Sequence, residues 1–258
     1  MKNTALKKFY KDNGYFIHKI NKKDITNLRK EFINIFNLIS KGNIKKKIKN
    51  DNDIIKLYNS KNRNLWTSVY DIMKLHPGVF AVNGQKNFKK ILNIAGIKKP
   101  CFCARPQVRA DMPKDPKFSF KSHQDYPFNL GSKNSITIWI PLQDTDYKMG
   151  TLKVSEQSHK GEKIYKYGVD NKNFSMDIGK LVKRKIPANN HYKVSLNDKL
   201  FNFKSVKIKA GEALVISQFL VHKSGDNISN RIRFSVQLRY NDLAEKDYIK
   251  RKYFLYYR

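Results

Sequence analysis

Two cysteines, Cys101 and Cys103, are all that this 258-residue sequence holds, and they stand two positions apart. They cannot staple a fold, and without a second pair they make a poor zinc motif, so a reduced, cytoplasmic setting is expected. No apolar run approaches the ~18 residues that span a bilayer. Met1-Lys2-Asn3-Thr4 carries charge but no apolar stretch follows it, which argues against a secretory signal. Acidic residues are scarce as well: 21 Asp and Glu face 53 Lys and Arg, a formal net charge of +32. Such an excess is either the footprint of an anionic partner such as nucleic acid or the mark of a Lys-rich composition. Arginine, whose planar fork suits phosphate, numbers only ten, and the lysines are scattered. The compositional reading is therefore preferred over nucleic-acid binding, while a small anionic substrate stays compatible with the charge.

What the chain does have is a core. Hydrophobic residues make up 40% and aromatics 12%, which excludes global disorder. The first part reads as helices: one ending near Gly14, followed by an alternating strand from Tyr15 to Ile20; a second capped by Asp24, with Ile25, Leu28, Phe32, Ile33, Phe36 and Leu38 at helical spacing; a third pattern over 53–75; then a His76-Pro77-Gly78 turn and a helix over 87–95. Lys41 to Lys49 reads as a solvated connection. From Cys101 the texture changes to short strands, at 102–110, 118–125, 134–142, 151–155 and 206–209. Residues 213–218 form a continuous apolar run, as in a buried strand. Residues 233–240 alternate: Phe234, Val236 and Leu238 on one face, Arg233, Ser235, Gln237 and Arg239 on the other. A polar face of that kind makes sense in a barrel whose mouth holds a charged ligand. Helices followed by many short strands give an α+β fold, with a double-stranded β-helix (a cupin-like jelly roll) as its core and helices flanking it at the N-terminal side. One domain over 1–258 is expected: helical 1–98, a jelly-roll core over 99–242 interrupted by a 160–204 insertion suited to a lid, and a helical tail over 243–258.

The chemistry is concentrated at Ser122-His123-Gln124-Asp125-Tyr126. Two apart on an extended strand, His123 and Asp125 would leave the same face. Imidazole beside carboxylate is two thirds of a facial 2-His-1-carboxylate site, the arrangement of non-haem Fe(II) oxygenases with open positions. His222 can supply the third ligand. Arg233, eleven residues further on, offers a guanidinium for bidentate capture of a carboxylate, with Arg231 as its rival.

The order of these segments is specific. His123-Gln124-Asp125, then Ser135-Ile136-Thr137-Ile138-Trp139-Ile140-Pro141-Leu142, Gly150-Thr151-Leu152, Ser158-His159-Lys160 and finally His222 with Arg233 resembles the phytanoyl-CoA dioxygenase family, from Phe9 to about Tyr240. The resemblance implies an Fe(II)- and 2-oxoglutarate-dependent dioxygenase that hydroxylates a small molecule and releases succinate and CO2. It implies His123, Asp125 and His222 as metal ligands and Arg233 for the distal carboxylate of 2-oxoglutarate. Trp139, Gln107, Ser224 and Ser235 would line the cosubstrate pocket. Related halogenases carry a small residue where Asp125 stands, so Asp125 argues for hydroxylation. Glu156-Gln157 replaces the family's Pro-Gly before Ser158-His159, and His159 is read as a loop residue rather than a ligand. Arg109, Tyr126 and Asn129 are the candidates for substrate contact. Two other readings stand beside this one: a jelly roll that binds an anionic ligand or nucleic acid without turnover, and an oxygenase that acts on nucleic acid.

Overall fold

The computed structural model describes residues 3–40, 48–59, 63–84, 86–103, 106–115, 119–169, 172–174 and 194–250. Helices α1 (Asn3–Asn13), α2 (Lys22–Ser40), α3 (Asp51–Asn59), α4 (Arg63–Leu75), α5 (Pro77–Asn83) and α6 (Lys86–Ala95), with strand β1 (Tyr15–Lys19) after α1, precede the strands β2 (Pro100–Phe102) and β3 (Gln107–Asp111). A single turn α7 (Tyr126–Asn129) leads to β4 (Ile136–Pro141) and β5 (Lys153–Val154). Then come β6 (Tyr167–Val169), β7 (Lys172–Phe174), β8 (Val194–Leu196), β9 (Lys204–Ser205), β10 (Glu212–Ser217), β11 (His222–Lys223), β12 (Arg233–Asp242) and the short helix α8 (Lys246–Lys250). No described helix is long and apolar enough to cross a membrane.

The strands build the jelly roll. The major sheet runs β1-β10-β4-β12-β2, with β3 also on β12, and every pairing is antiparallel. A minor sheet, β11-β5-β9, faces it, and β7-β6-β8 is a separate three-stranded piece. Period-2 alternation divides the major sheet between two cores. Ile136, Ile138 and Ile140 of β4, Ala213 and Val215 of β10, and Phe234, Val236 and Leu238 of β12 pack with the buried helix residues, among them Phe32, Phe36, Ile54 and Ile91. Trp139, Leu214 and Ile216 turn the other way and meet Leu152 and Val154 of the minor-sheet side. The apolar run of β10 is thus continuous because both of its faces are covered. On β12 the face turned from the helices carries Arg233, Ser235, Gln237 and Arg239, all buried.

Several local expectations are corrected. The 53–75 pattern is two helices, α3 and α4, rather than one. The His76-Pro77-Gly78 stretch is not only a turn: α4 ends at Leu75 and α5 starts at Pro77, where Pro is accommodated because its missing N–H has no partner to lose, and the His76 side chain accepts from Gly78 N at 3.1 Å. Asp24 lies inside the first turn of α2; Asn21 precedes the helix and accepts from Lys23 N at 2.9 Å. Leu38 is 71% exposed despite its helical register. The strand expected over 206–209 is displaced to β9, leaving a single bridge between Thr145 and Ile208. Lys41–Lys47, Arg105, 175–193 and the end of the tail after Lys250 lie outside the described residues.

Two glycines fix the loop that follows β11. Gly150 has φ +77°, and a Cβ there would stand 2.4 Å from the Gly225 carbonyl oxygen; a Cβ on Gly225 would stand 2.5 Å from the carbonyl of Thr151. Gly225 N also donates to Thr151 O at 3.1 Å. Backbone lies against backbone here, so Gly150→Ala is expected to cost about 1–3 kcal/mol through strain and displacement of the 225–226 turn. A urea denaturation midpoint unchanged from wild type would contradict this packing.

Candidate metal centre

His123 and His222 face each other across an antiparallel bridge, each donating its N–H to the other's carbonyl at 2.9 Å. Beyond His123 the chain does not continue as a strand. Asp125 is αR (φ −74°, ψ −30°) and opens the turn α7, held by Tyr126 N donating to Gln218 O at 2.9 Å and by the stack of Tyr126 on Phe219, 4.1 Å between centroids. The expected strand over 118–125 is therefore absent among its described residues, and same-face alternation is not what joins His123 to Asp125. The bend does it instead: His123 Nε2 lies 3.6 Å from Asp125 Oδ1. One ligand atom from each of His123, Asp125 and His222 can be chosen so that all lie within 4.8 Å of one another. Both histidines and the aspartate are well shielded, and the three open into a cavity.

The second interactions of these groups suit a metal. Nδ1–H of His123 donates to the Lys121 carbonyl at 2.7 Å and Nδ1–H of His222 to the Leu220 carbonyl at 2.9 Å, which leaves both Nε2 lone pairs for a ligand bond. The Asp125 carboxylate accepts from Thr137 Oγ1 at 2.5 Å, and Arg239 Nε stands 3.6 Å from the same Oδ2. Burial by itself would raise the Asp125 carboxyl; the Arg239 guanidinium beside it outweighs this and is the main cause holding it well below the ordinary carboxylate range. Burial, reinforced by His123, pulls His222 down to about 4. Two neutral imidazoles and one carboxylate are the charge states a divalent ion requires.

That depressed His222 has a consequence for the metal-free protein. Between the unfolded value near 6.5 and the folded value near 4 only the unfolded chain takes up the proton, so stability falls as pH drops through that window. The expected loss is about 3 kcal/mol, read as a falling urea midpoint, and His222→Asn should flatten most of the slope. A slope that persists in the variant would assign the proton elsewhere.

The cavity is lined by Gln107, Phe120, Phe128, Asn129, Trp139, Leu152, Ile216, Ser224, Gln237 and Arg239, together with the three candidate ligands and Thr137. Gln107, Trp139, Ser224 and Asn129, all singled out from sequence, are among them. Ser224 anchors its wall, donating its N–H to Phe120 O at 2.9 Å and accepting from Phe120 N at 3.2 Å. Arg233 and Ser235 are buried on the same face of β12 but do not line the cavity. Arg233 donates through Nε and Nη2 to Asp111 Oδ2 at 3.1 and 2.9 Å, and through Nη1 to the Gly225 carbonyl at 3.2 Å, next to Ser224. Arg109 pairs with the other oxygen of Asp111 and lies over the Phe120 ring, 4.6 Å from its centroid. Tyr126 is buried against Phe219 and is not a lining residue. Asp111 and Arg239 were not proposed from sequence. Arg109 stands only two positions from Asp111, but the second partner, Arg233, is 122 positions away and gives no local signal; Arg239 lies on the polar face of the last strand, where the alternation marks it.

Gln124, between the two candidate ligands, ties the metal loop to the insertion: it donates to Lys163 O at 2.8 Å and accepts from Tyr165 N at 3.0 Å. Ser122 and Leu196 add a second tie, Leu196 N to Ser122 O at 2.9 Å and Ser122 Oγ to Leu196 O at 3.1 Å. Both ends of the insertion thus begin at the site.

Residues 19–235 match the family model described as Phytanoyl-CoA dioxygenase (PhyH). No curated protein sequence matches. Among solved structures, EctD from S. alaskensis with bound Fe is similar at 12% identity, covering 93% of this chain and 77% of that one, with a TM-score of 0.58. The epimerase SnoN from nogalamycin biosynthesis, in complex with Fe3+, alpha ketoglutarate and nogalamycin RO, is similar at 14% identity over 93% and 83% of the two chains, with a TM-score of 0.53. The carbocyclase SnoK follows at 15% identity, 92% and 83% coverage and a TM-score of 0.50. At these identities the likeness is one of fold.

Proposed function

Because the chain belongs to the phytanoyl-CoA dioxygenase family, we propose that it is an Fe(II)- and 2-oxoglutarate-dependent dioxygenase that hydroxylates a small molecule with release of succinate and CO2. The observation that carries this reading is the triad itself: two imidazoles with free Nε2 atoms and one oriented carboxylate converge within 4.8 Å on a cavity. His123, Asp125 and His222 would hold the iron, and three facial ligands leave positions open for cosubstrate and oxygen. Iron(II) with 2-oxoglutarate, when bound, supplies oxygen activation coupled to decarboxylation of the cosubstrate.

The chain's own residues have separable tasks in this reading. Thr137 fixes one oxygen of Asp125, and the two backbone carbonyls fix the imidazole tautomers. Gln107, Trp139 and Ser224 line the cosubstrate space, and Arg233 with Ser235 backs it. Arg233 and Arg109 bring two positive charges to one Asp111, so a second carboxylate beside Ser224 would meet a cluster that is still net positive. Phe120, Phe128, Leu152 and Ile216 exclude water. Asn129 is the assigned substrate contact that opens on the cavity, whereas Arg109 and Tyr126 would act behind it. We take residues 1–258 as one catalytic domain, with 160–204 as an insertion whose described ends are tied to the site through Lys163, Tyr165 and Leu196. Asp125 in a ligand position favours hydroxylation over halogenation. SnoN is an epimerase and SnoK a carbocyclase, so the product is the deciding measurement.

The test begins with anaerobic addition of Fe(II) and 2-oxoglutarate to the metal-free protein. A visible metal-to-ligand charge-transfer band is expected, absent in His123→Ala and weaker in Arg233→Gln. Succinate release with a product one oxygen atom heavier than substrate completes the assignment. A folded, metal-loaded protein that gives no band overturns it.

A further inference from the structure

Among the lining residues, Arg239 is charged and has no task in the reading above. It is 8% exposed, and its Nη2 donates to Gln237 Oε1 at 3.0 Å. Its Nε makes no hydrogen bond to any described residue and faces Asp125 Oδ2 across 3.6 Å. A buried guanidinium with an open donor edge is costly unless an acceptor completes it. Asp125 is a poor completion: it is too distant for a hydrogen bond and is already engaged by Thr137. A divalent ion held by the triad would draw on that same carboxylate and leave Arg239 with still less countercharge.

Distance separates Arg239 from the arginine assigned to the cosubstrate. Arg233 and Arg239 share one face of β12, six residues apart, which places their backbones roughly 20 Å from one another along the strand. Register puts them at opposite ends of the site. Arg233 is opposite Asp111 and adjoins Gly225 and Ser224, whereas Arg239 is opposite Thr137, on the Asp125 side. One short dicarboxylate cannot serve both. We propose that Arg239 receives a carboxylate or phosphate group on the substrate, so that the oxidised molecule is itself anionic and its charged group lies on the Asp125 side of the metal centre. This rests on the reading that Arg233 serves the cosubstrate. Gln237 holds one edge of the guanidinium and leaves the Nε edge for the ligand.

The test uses the full chain loaded anaerobically with Mn(II) and 2-oxoglutarate. It reads the phosphorus relaxation of inorganic phosphate and the fluorine relaxation of trifluoroacetate, both enhanced only where an anion sits near the metal. Wild type is expected to enhance at least one, and Arg239→Gln to weaken that binding at least about tenfold while keeping its affinity for 2-oxoglutarate. Arg239→Lys, which keeps charge but not the fork, should fall between them, and it carries the test if the glutamine variant does not fold. Equal enhancement in wild type and variants, or none in wild type, overturns the proposal. So does loss of 2-oxoglutarate affinity in Arg239→Gln, which would make Arg239 the cosubstrate arginine. If wild type fails to bind 2-oxoglutarate at all, the function reading has failed instead, and the same titration on Mn(II) alone still decides whether Arg239 takes an anion.

Discussion

Asp125→Ala should remove two things at once, metal binding and part of the fold's electrostatic balance. In the proposed role of metal ligand, its loss should weaken Fe(II) binding by more than the ~10–100-fold typical of a residue one step behind the metal, and turnover should vanish with the charge-transfer band. As a buried carboxylate 3.6 Å from Arg239 Nε it is also the nearest countercharge of a shielded guanidinium. Breaking such a pair from one side leaves an uncompensated charge, a cost of about 3–5 kcal/mol. His123→Ala makes the comparison clean. It deletes a metal ligand without deleting a charge, so it should lose the metal equally and destabilise the metal-free protein far less. Equal denaturation midpoints for the two metal-free variants would show that Asp125 and Arg239 are not coupled.

Asp111→Ala is expected to give the largest loss of stability with no metal ligand touched. Its carboxylate is shared between Arg109 and Arg233, and the Arg233 side chain is almost entirely buried. Burial would raise the Asp111 carboxyl, but Arg109 and then Arg233 bring it down to about 2. Removing it strands two guanidiniums between β3 and β12, at about 3–5 kcal/mol. For a chain of this length that corresponds to a melting temperature lower by roughly 10 °C, measurable by calorimetry. The same ion cluster gives an acid limb. A folded value below the unfolded one means stability that is complete above about pH 4 and lost as pH falls towards 2, worth about 2 kcal/mol. Asp111→Asn should abolish that limb. Arg233→Met, which removes one of two guanidiniums, should cost less than Asp111→Ala.

What could be read in the sequence was local or periodic. The alternation of Ile136, Ile138 and Ile140 against Thr137 and Trp139 gave both faces of β4, and the polar set of β12 pointed to a charged interior. The joint occurrence of His123, Asp125 and His222 pointed to a candidate metal constellation, and the fold does bring the three side chains together. The reason offered for its first two members, a common strand face, was wrong. A period-2 argument assumes extended backbone, and here Gln218 and Phe219, more than ninety residues away, capture Tyr126 and bend the chain at Asp125.

The sequence by itself determined which side chains are available, the alternation that sorts them onto faces, and the family to which their order belongs. Only tertiary structure decided the partners. The carbonyls of Lys121 and Leu220 that orient the imidazoles carry no side-chain signature, because any residue presents the same backbone acceptor. Asp111 finds Arg233, and Arg239 finds Asp125, across more than a hundred residues, through strand register. Spacing along a chain specifies distance only while the backbone is regular; past the first turn, pairing across the sheet sets it, and here that pairing left one arginine closed by a carboxylate and the other open to the cavity.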